Sequence, residues 1–396
     1  MDLKDVVIIG GARTPSGKFG GAYIDYVTYD LGGRAIAAAI DKTGLDRKHI
    51  AYFYFGHNRQ SGFGSNAVRT AAIVAGIEDT PGACINGANG SGANGIMMGS
   101  QSIRAGDYDA VMVGGTDSIS NLPYFLKRMR WQGMRLGNIF LQDGIEELGD
   151  VPILKTKEHP AEYIAAKYGI TRQEQDAYAL ESHRKAQQAW DKGWFDKEVI
   201  AVEVPARKGR DRFVLERDET IRPTVSLDDL AKLAPAFKPD GTVGPSNFAK
   251  LADGALGMIM TSRSKAKEWG MPIKASFLGI SWIAQGGHME MYESVKPAMD
   301  KALKQAGLTL SDVDLFEIDE AYAAEVIALE REMGLDRAKI NVHGGSIALG
   351  FPPAMVAARN VWTLINALRL HDKEIGLAAV GSTGGVSHAV VVKREG

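Results

Sequence analysis

The feature that most constrains the fold of this chain is an internal repeat of a strand, a glycine-rich turn, a helix and a second strand. In the N-terminal half, residues 85–92 form a small-residue turn that precedes a helical run and a strand at 110–116. In the C-terminal half, a turn at 340–346 is followed by a helical run over 355–368 and a strand from residue 376. A βαβ pattern that occurs in both halves predicts duplicated α/β domains packed on each other. Gly-rich turns at strand ends are where ligands bind in such sheets.

Between the two repeats, residues 120–249 have a different character. They contain many loop signals and one long helical run, over 174–190, and the dipeptides Asp240-Gly241 and Gly244-Pro245 mark their end. This region is therefore predicted to be an insertion rather than a further copy of the repeat.

Composition bounds the class of protein and excludes several functions. The chain has 396 residues, 45% hydrophobic and 24% charged, which is typical of a soluble globular protein of two or three domains. A net charge of −2 gives no argument for nucleic acid or an anionic membrane as partner. The single cysteine, Cys84, excludes an intrachain disulfide framework and a Cys-rich metal site. We expect no signal peptide, no membrane span and a cytoplasmic location.

The first turn contains Asn89, at a predicted strand-to-helix elbow. The N-terminus of a helix presents unpaired N–H groups and favours an anion, so an elbow of this kind suits a nucleophile, particularly a thiolate. Asn89 is neither ionisable nor nucleophilic. The surroundings therefore predict an enzyme, whereas the residue itself does not supply the nucleophile.

Several segments, in the same order along the chain, resemble motifs of the thiolase family, and the resemblance covers essentially the whole sequence. These segments are 11–20 (GARTPSGKFG), 115–120 (GTDSIS), 170–176 (ITRQEQD), 218–223 (DETIRP), 230–237 (LAKLAPAF), 319–324 (DEAYAA) and 344–350 (GGSIALG). The resemblance implies a layered α-β-α-β-α core built from two βαβ-rich domains, plus a loop domain. The implied domains are residues 1–119 with 250–268, residues 120–249 (the loop domain) and residues 269–396.

In the thiolase family, a cysteine on the first elbow takes the acyl group, a histidine in Gly-His-Pro activates it, and a second cysteine moves the proton of the carbon–carbon bond step. The corresponding positions here are Asn89, Phe351 and Gly381. The family's Asn-Glu-Ala-Phe motif has Asp319 and Tyr322 in place of its first and last residues. The resemblance therefore predicts a chain in which the usual thioester route is replaced or lost.

Other side chains near the implied site are candidates for acid/base chemistry, each with a structural alternative. His159 and His288 lie in segments that border the acyl pocket of the family, and either is a candidate base or a structural histidine. Asp319 is a candidate carboxylate with a raised pKa, or a partner for a backbone turn. Tyr322 is a candidate donor to an oxyanion, or a packing residue. Asn89 and the turn at Gly384 are candidate hydrogen-bond donors to a carbonyl oxygen.

Coenzyme A binding is implied at Arg222, Ser226, Ala249 and Lys250, of which the last two correspond to the family's pantetheine-contacting Ser-Gly. A CoA thioester is the expected substrate or ligand, with no covalently bound cofactor and no metal. The first hypothesis is carbon–carbon bond chemistry on a CoA thioester without an acyl-enzyme, for example a retro-aldol cleavage. The alternatives are acyltransferase chemistry by another route, and a catalytically inactive acyl-CoA-binding or structural subunit of a larger complex.

Oligomerisation is also implied by the resemblance. Residues 86–106 correspond to the dimer interface of the family, and residues 124–139 resemble a tetramerisation loop. We therefore expect a homodimer or homotetramer, with a small partner protein as a further possibility, and neither a nucleic-acid nor a membrane partner.

Overall fold

The structure is a computed structural model that describes residues 2–127, 129–133, 136–146, 159–207, 209–222, 224, 226–285, 289 and 291–396. The elements of the first repeat are β1 (Val6–Arg13), β2 (Gly17–Lys18), α1 (Thr28–Thr43), β3 (Tyr52–Gly56), α2 (Ala67–Val74), β4 (Gly82–Ile85), α3 (Ser91–Ala105) and β5 (Ala110–Asp117). The inserted region contributes β6 (Tyr124–Phe125), α4 (Met129–Gln132), β7 (Gln142–Asp143), α5 (Pro160–Lys167), α6 (Arg172–Asp191), β8 (Val202–Val204), β9 (Phe213–Leu215) and α7 (Leu227–Ala231).

The chain then completes the first half and builds the second. The remaining elements are β10 (Ala252–Ser262), α8 (Arg263–Glu268), β11 (Ala275–Ala284), α9 (Val295–Ala306), β12 (Leu315–Ile318), α10 (Ala323–Met333), α11 (Ser346–Leu349), α12 (Pro353–Leu370), β13 (Ile375–Ser382) and β14 (Val386–Arg394). The predicted helical runs over 174–190 and 355–368 are thus confirmed as α6 and α12.

Apart from the separate pairs β6–β7 and β8–β9, the strands form one continuous sheet whose two halves have the same strand arrangement. The order is β12-β13-β14-β11-β1-β10-β5-β3-β4, and the halves join where β1 pairs with β11. In the first half, β3 is parallel to β4 and β5, and β10 pairs antiparallel with β5 and β1. In the second half, β12 is parallel to β13, and β14 pairs antiparallel with β13 and β11. The predicted duplication is therefore visible in the hydrogen bonding.

Alternating side chains of the strands face different helix layers. Val6 and Ile8 of β1 pack in a cluster with α12, whereas Val7 and Ile9 pack in a cluster with α1 and α2. This follows from the period of two in a strand, and it explains why β1 is apolar on both faces. Strand β13 likewise divides its residues between the cluster with α12 and the cluster with α9 and α10. Helices α3 and α12 thus lie between the two half-sheets, which confirms the α/β fold class.

The beginning of α12 lies in backbone contact with β5. The Oδ2 atom of Asp117, the last residue of β5, accepts a hydrogen bond of 2.6 Å from the N–H of Ala354 in the first turn of α12. A Cβ atom on Gly115 would lie 2.1 Å from the Ala354 carbonyl oxygen, so only glycine permits this approach. The turn that precedes α12, and with it Phe351, is positioned by this contact.

A buried arginine attaches the inserted region to the core. The guanidinium of Arg13 on β1 bonds Glu198 at 2.5 Å and Asp218 at 2.7 Å and 3.1 Å, and these three side chains are at most 5% exposed. The backbone of Arg13 also bonds that of Glu198 and Ile200. None of the helices among the described residues is long and apolar enough to cross a membrane.

We predict that Arg13→Met lowers the free energy of unfolding by about 3–5 kcal/mol, because it leaves two buried carboxylates without their counter-charge. The matched control is Arg47→Met, which removes an exposed pair with Asp41 and is expected to cost less than about 1 kcal/mol. Urea denaturation of both variants measures the difference. Equal losses would contradict the structural role of the Arg13 cluster.

Candidate active site

The first elbow is a tight turn between β4 and α3 that is held by its own backbone and one serine. Ala88 has a φ of +50°, a left-handed conformation unusual for a residue with a Cβ atom. The Ser91 hydroxyl accepts from the Gly87 N–H at 3.0 Å and donates to the Ala88 carbonyl at 2.6 Å. Asn89 is thereby held immediately before the N-terminus of α3, as the sequence pattern predicts.

The elbow contacts the end of β13 in the other half of the molecule. Asn89 Nδ2 donates to the carbonyl oxygen of Gly381 at 3.3 Å. The Ser382 hydroxyl donates to the Gly87 carbonyl at 3.0 Å and accepts from the Gly90 N–H at 3.4 Å. Gly384 follows in the β13–β14 turn with a φ of +89°, and the space where its Cβ would lie is open. The structure therefore brings Asn89 and Gly381 together, with the Gly384 turn adjacent.

Gly90 is constrained by the ring of His388 on β14. A Cβ on Gly90 would lie 2.2 Å from His388 Cε1. His388 Nε2 lies 2.8 Å from Oδ1 of Asn94 on α3, and burial lowers the pKa of His388 to about 4. His388 is therefore a neutral ring that packs beneath the elbow.

A second part of the site is the pair formed by His159 and Tyr322. His159 caps α5, where its Nδ1 accepts from the Ala161 N–H at 3.2 Å. In a neutral ring the proton is therefore assigned to Nε2, which lies 3.2 Å from the Tyr322 hydroxyl. The His159 ring stacks on Phe237 with centroids 3.6 Å apart. Burial, followed by the charge of Glu325, raises the pKa of Tyr322, so its hydroxyl stays neutral and able to donate.

Asp319 is a buried carboxyl group at the end of β12. Its Oδ1 accepts from the Ser346 hydroxyl at 2.6 Å, and Ser346 in turn accepts from the Arg359 guanidinium at 2.6 Å. Its Oδ2 has no hydrogen-bond partner among the described residues. Burial raises the pKa of Asp319 to about 6, while the Ser346 bond and the charge of Arg359 act in the opposite direction. The carboxyl group thus accepts from a side chain, and the backbone of Glu320 in the following turn also favours its charged form.

Phe351 and the predicted pantetheine segment lie side by side. The Phe351 N–H donates to the Lys250 carbonyl at 2.9 Å, and the Ala249 N–H donates to the Ala321 carbonyl at 3.0 Å. Phe351 itself is buried in the core of the second half. The Lys250 ammonium lies 3.6 Å from the centre of the Phe248 ring, and burial, followed by the charge of Arg222, lowers the pKa of Lys250 to about 8.

Three predicted residues remain, namely His288, Ser226 and Arg222. His288 lies outside the described residues. Ser226 is exposed and caps α7, where its hydroxyl accepts from the Asp229 N–H at 3.2 Å and donates to the Asp229 carboxylate. Arg222 is exposed, and its backbone N–H donates to His183 Nδ1. Its charge reaches Lys250, as the pKa of that residue indicates.

Glu325 is a residue of this site that the sequence reasoning missed. It lies in the first turn of α10 and is 2% exposed, and neither carboxyl oxygen has a side-chain hydrogen-bond partner among the described residues. A Cβ on Gly381 would lie 2.7 Å from Glu325 Oε1. The sequence signal for Glu325 was a single acidic residue within the apolar run Ala323–Ile327. An acidic residue in the first turn of a helix is common, however, because it interacts favourably with the helix dipole.

A cavity of about 540 Å³ elsewhere in the molecule is separate from this site. It lies between β1 and α12, and its lining includes Ile9, Trp362 and Ile365 with Lys274 and Arg369. None of the residues grouped around Asn89, Asp319 and Tyr322 lines it. Among the described residues, no group of three or more His, Cys, Asp and Glu side chains is suited to hold a metal ion.

Comparison with known proteins identifies the family. The family profile "Thiolase, N-terminal domain" matches residues 6–264, and "Thiolase, C-terminal domain" matches residues 273–394. The chain belongs to the thiolase family. Two curated relatives named "Probable acetyl-CoA acyltransferase", from Staphylococcus epidermidis and Staphylococcus aureus, are each 38% identical over 403 and 397 residues. Both alignments span 99% of this chain, and 99% and 100% of the relatives.

Solved thiolase-fold structures superpose closely on this one. The Bacillus anthracis acetyl-CoA acetyltransferase matches with a TM-score of 0.94 and 34% identity, over 99% of both chains. The human mitochondrial 3-ketoacyl-CoA thiolase matches with a TM-score of 0.94 and 33% identity, over 99% of this chain and 100% of that one. The predicted thiolase fold is therefore confirmed. The roles predicted for individual residues of this thiolase stay predictions.

We predict that Asp319→Asn changes how the stability of this thiolase depends on pH. The folded-state pKa of about 6 exceeds the ordinary value of 3.8. Between these two pH values the folded protein binds more protons at this carboxyl group than the unfolded chain does, so its stability falls as pH rises from about 4 to about 6. Asparagine removes this loss, which amounts to about 3 kcal/mol. Urea denaturation at pH 4 and pH 7.5 measures the free energy of unfolding of both proteins. From pH 4 to pH 7.5, the stability of the variant relative to the wild type should increase by about 3 kcal/mol. A constant difference across this range would contradict the prediction.

Proposed function

We propose that this chain acts on a CoA thioester and makes or breaks a carbon–carbon bond without a cysteine acyl-enzyme, by retro-aldol-type chemistry. The observation that carries the proposal is the elbow, where the amide of Asn89 donates to the Gly381 carbonyl at 3.3 Å. An amide in this position is suited to donate to a carbonyl oxygen and cannot attack one. The curated relatives named for acetyl-CoA support a CoA thioester as the substrate.

The single cysteine offers no replacement nucleophile. Cys84 lies on β4, and its Sγ accepts a hydrogen bond of 3.3 Å from Gln60 Nε2. Burial, followed by the charge of Asp117, raises the pKa of Cys84 to about 11. Because the thiolate is the reactive form, this thiol is a weak nucleophile at neutral pH.

Retro-aldol cleavage of a 3-hydroxyacyl-CoA needs a base and stabilised oxygens, but no nucleophile. A base takes the proton of the 3-hydroxyl group, the C2–C3 bond breaks, and its electron pair passes into the thioester enolate as a carbonyl forms at C3. A proton then arrives at C2, so the products are a carbonyl compound and a shorter acyl-CoA. No co-reactant is required.

The side chains of the site support a division of roles for this reaction. Asp319, with a pKa of about 6 and a free Oδ2 among the described residues, is suited to be the base. Tyr322 is a neutral donor whose orientation is supported by His159 at 3.2 Å. Asn89 and the Gly384 turn are proposed donors to the thioester oxygen, and His288 is kept as a further candidate base. Neither Phe351 nor Gly381 can transfer a proton. We propose that the Phe351 ring forms an apolar wall of the site and that Gly381, which has no side chain, leaves space in it.

We further propose that Arg222, Ser226, Ala249 and Lys250 contact the coenzyme A portion of the substrate. The partly buried ammonium of Lys250 and the exposed guanidinium of Arg222 are cations suited to phosphate oxygens. The second candidate function is an inactive acyl-CoA-binding or structural subunit. It is favoured by the apolar Phe351 and Gly381 at positions where the resemblance implies catalytic side chains.

Mass spectrometry after incubation with acetyl-CoA and acetoacetyl-CoA tests the proposal, with isothermal titration to measure binding. We expect both esters to bind and no acyl adduct to form on the protein. The double variant Asn89→Cys with Phe351→His is the positive control and is expected to become acylated in part, because it returns a nucleophile and a base. An adduct on the wild-type chain would refute the non-covalent route. Binding without turnover of any 3-hydroxyacyl-CoA would favour the inactive subunit.

We also propose that the chain is a homodimer or homotetramer in the cytoplasm. Strand β4 is at the edge of the sheet, with side chains that are only half-buried, and an unpaired edge is available to a second copy. In the segment 124–139, Trp131 and Leu136 are 89% and 99% exposed, and large exposed apolar groups are typical of interfaces. A small partner protein is the other occupant proposed for such a surface.

Sedimentation velocity at micromolar concentration tests the assembly. We expect at least a dimer, and we expect Trp131→Glu to reduce any tetramer to a dimer, because a charge replaces an apolar contact. The control is Trp269→Glu, a partly buried tryptophan that stacks on His49 and lies outside residues 86–106 and 124–139. A monomeric wild-type protein would contradict the proposal.

A further inference from the structure

We propose that Glu325 is a catalytic residue of this site, and that its carboxyl group transfers the proton to and from C2, the α-carbon of the CoA thioester. The proposal rests on the function proposed above and deepens it. It names the acid that the retro-aldol step needs, on a residue that no motif assigns.

The space that Glu325 occupies exists because residue 381 is glycine. A Cβ atom at this position would lie 2.7 Å from Glu325 Oε1, 3.1 Å from Val295 Cγ2 and 3.3 Å from Tyr292 Cδ1. The carboxyl group therefore takes the position toward which any side chain at residue 381 would extend. The carbonyl of the same Gly381 accepts from Asn89, so Glu325 and the elbow meet at one residue.

The carboxyl group of Glu325 does not have the contacts of a structural glutamate. Glu320, five residues earlier, shows what such contacts look like: its carboxylate accepts from Tyr178, Ser182, Asn341 and the Ile347 N–H at 2.7–3.1 Å. Neither oxygen of Glu325 has a side-chain hydrogen-bond partner among the described residues, although the side chain is 2% exposed. A backbone contact with Tyr322, the residue before α10, is the one hydrogen bond that favours its charged form. Since a buried carboxyl group with so few partners costs free energy, its retention favours a role in chemistry.

Glu325 and Asp319 influence each other's protonation. Burial, followed by the charge of Asp319, raises the pKa of Glu325 well above its ordinary range, whereas the pKa of Asp319 is about 6. Each carboxyl group therefore favours the neutral form of the other, so the pair is suited to hold one proton and to pass it between acid and base roles. The other titratable groups that face Glu325 are Tyr292 and Tyr322, and both are neutral phenols.

Two carboxyl groups account for both protons that move in the cleavage. In cleavage, Asp319 takes the proton of the 3-hydroxyl group, and the C2–C3 electron pair becomes the enolate. Glu325 gives its proton to C2 and becomes a carboxylate. One proton has then passed to Asp319 and one has left Glu325, and a proton moving from the first to the second restores both. In the reverse direction, the Glu325 carboxylate removes a proton from C2.

The test is exchange of the methyl protons of acetyl-CoA with D2O, followed by NMR, since this exchange requires proton transfer at C2 and no bond cleavage. We expect exchange with the wild-type protein and a loss of about 100-fold or more in Glu325→Gln, the size typical of removing a general acid/base. Acetyl-CoA affinity, measured by isothermal titration, should change less than twofold. The matched control is Glu317→Gln, another buried glutamate with a raised pKa, whose charged neighbours are Arg359, Glu320, Glu198 and Lys185 rather than Asp319; it should keep wild-type exchange.

Enlarging residue 381 and shortening residue 325 distinguishes a catalytic role of Glu325 from a role in packing. Gly381→Ala should displace the carboxyl group and lower exchange, and adding Glu325→Asp, which is one methylene shorter, should recover part of it. Undiminished exchange in Glu325→Gln, or no exchange in the wild type, would overturn the role of Glu325. An acyl adduct on the wild-type protein would instead overturn the proposed function, so the two failures are distinguishable.

Discussion

The contact between the start of α12 and the end of β5 is the constraint on which the rest of the structure depends. The Asp117 carboxylate accepts from the Ala354 N–H at 2.6 Å, and Gly115 leaves room for the Ala354 carbonyl. Because α12 is packed against both half-sheets, fixing its first turn fixes the second half relative to the first. The two repeats then present their glycine-rich turns to one place, where Ser382 bonds the backbone of the first elbow.

The site that results is buried and rich in carboxyl groups. Asp319 and Glu325 come from the end of β12 and the beginning of α10, so a single turn of chain supplies both acids and Tyr322. Their environments differ, since Asp319 accepts from Ser346 whereas Glu325 has no such donor among the described residues. Burial raises the pKa of both groups, and the charge of Asp319 raises that of Glu325 further. These raised pKa values are the physical basis of the acid and base roles proposed for them.

Stability and the proposed chemistry act against each other at this turn. A buried carboxyl group with a raised pKa lowers the stability of the folded protein at neutral pH. An asparagine at residue 319 would avoid that loss. Such a cost is compatible with the role in chemistry that we propose for Asp319.

The sequence by itself determined the duplicated α/β fold, the long helices α6 and α12, and the location of Asn89 at an elbow. These follow from local signals: apolar periodicity, glycine-rich turns and the order of motifs along the chain. The sequence did not predict the contact between Gly381 and Glu325, because the two residues are 56 positions apart and glycine has no side chain whose type would indicate a neighbour. The tertiary structure alone decided that pairing, since the contact arises only when α10 packs against the end of β13. Desolvation likewise acts only in the packed core, so only the fold could set the pKa values of the site.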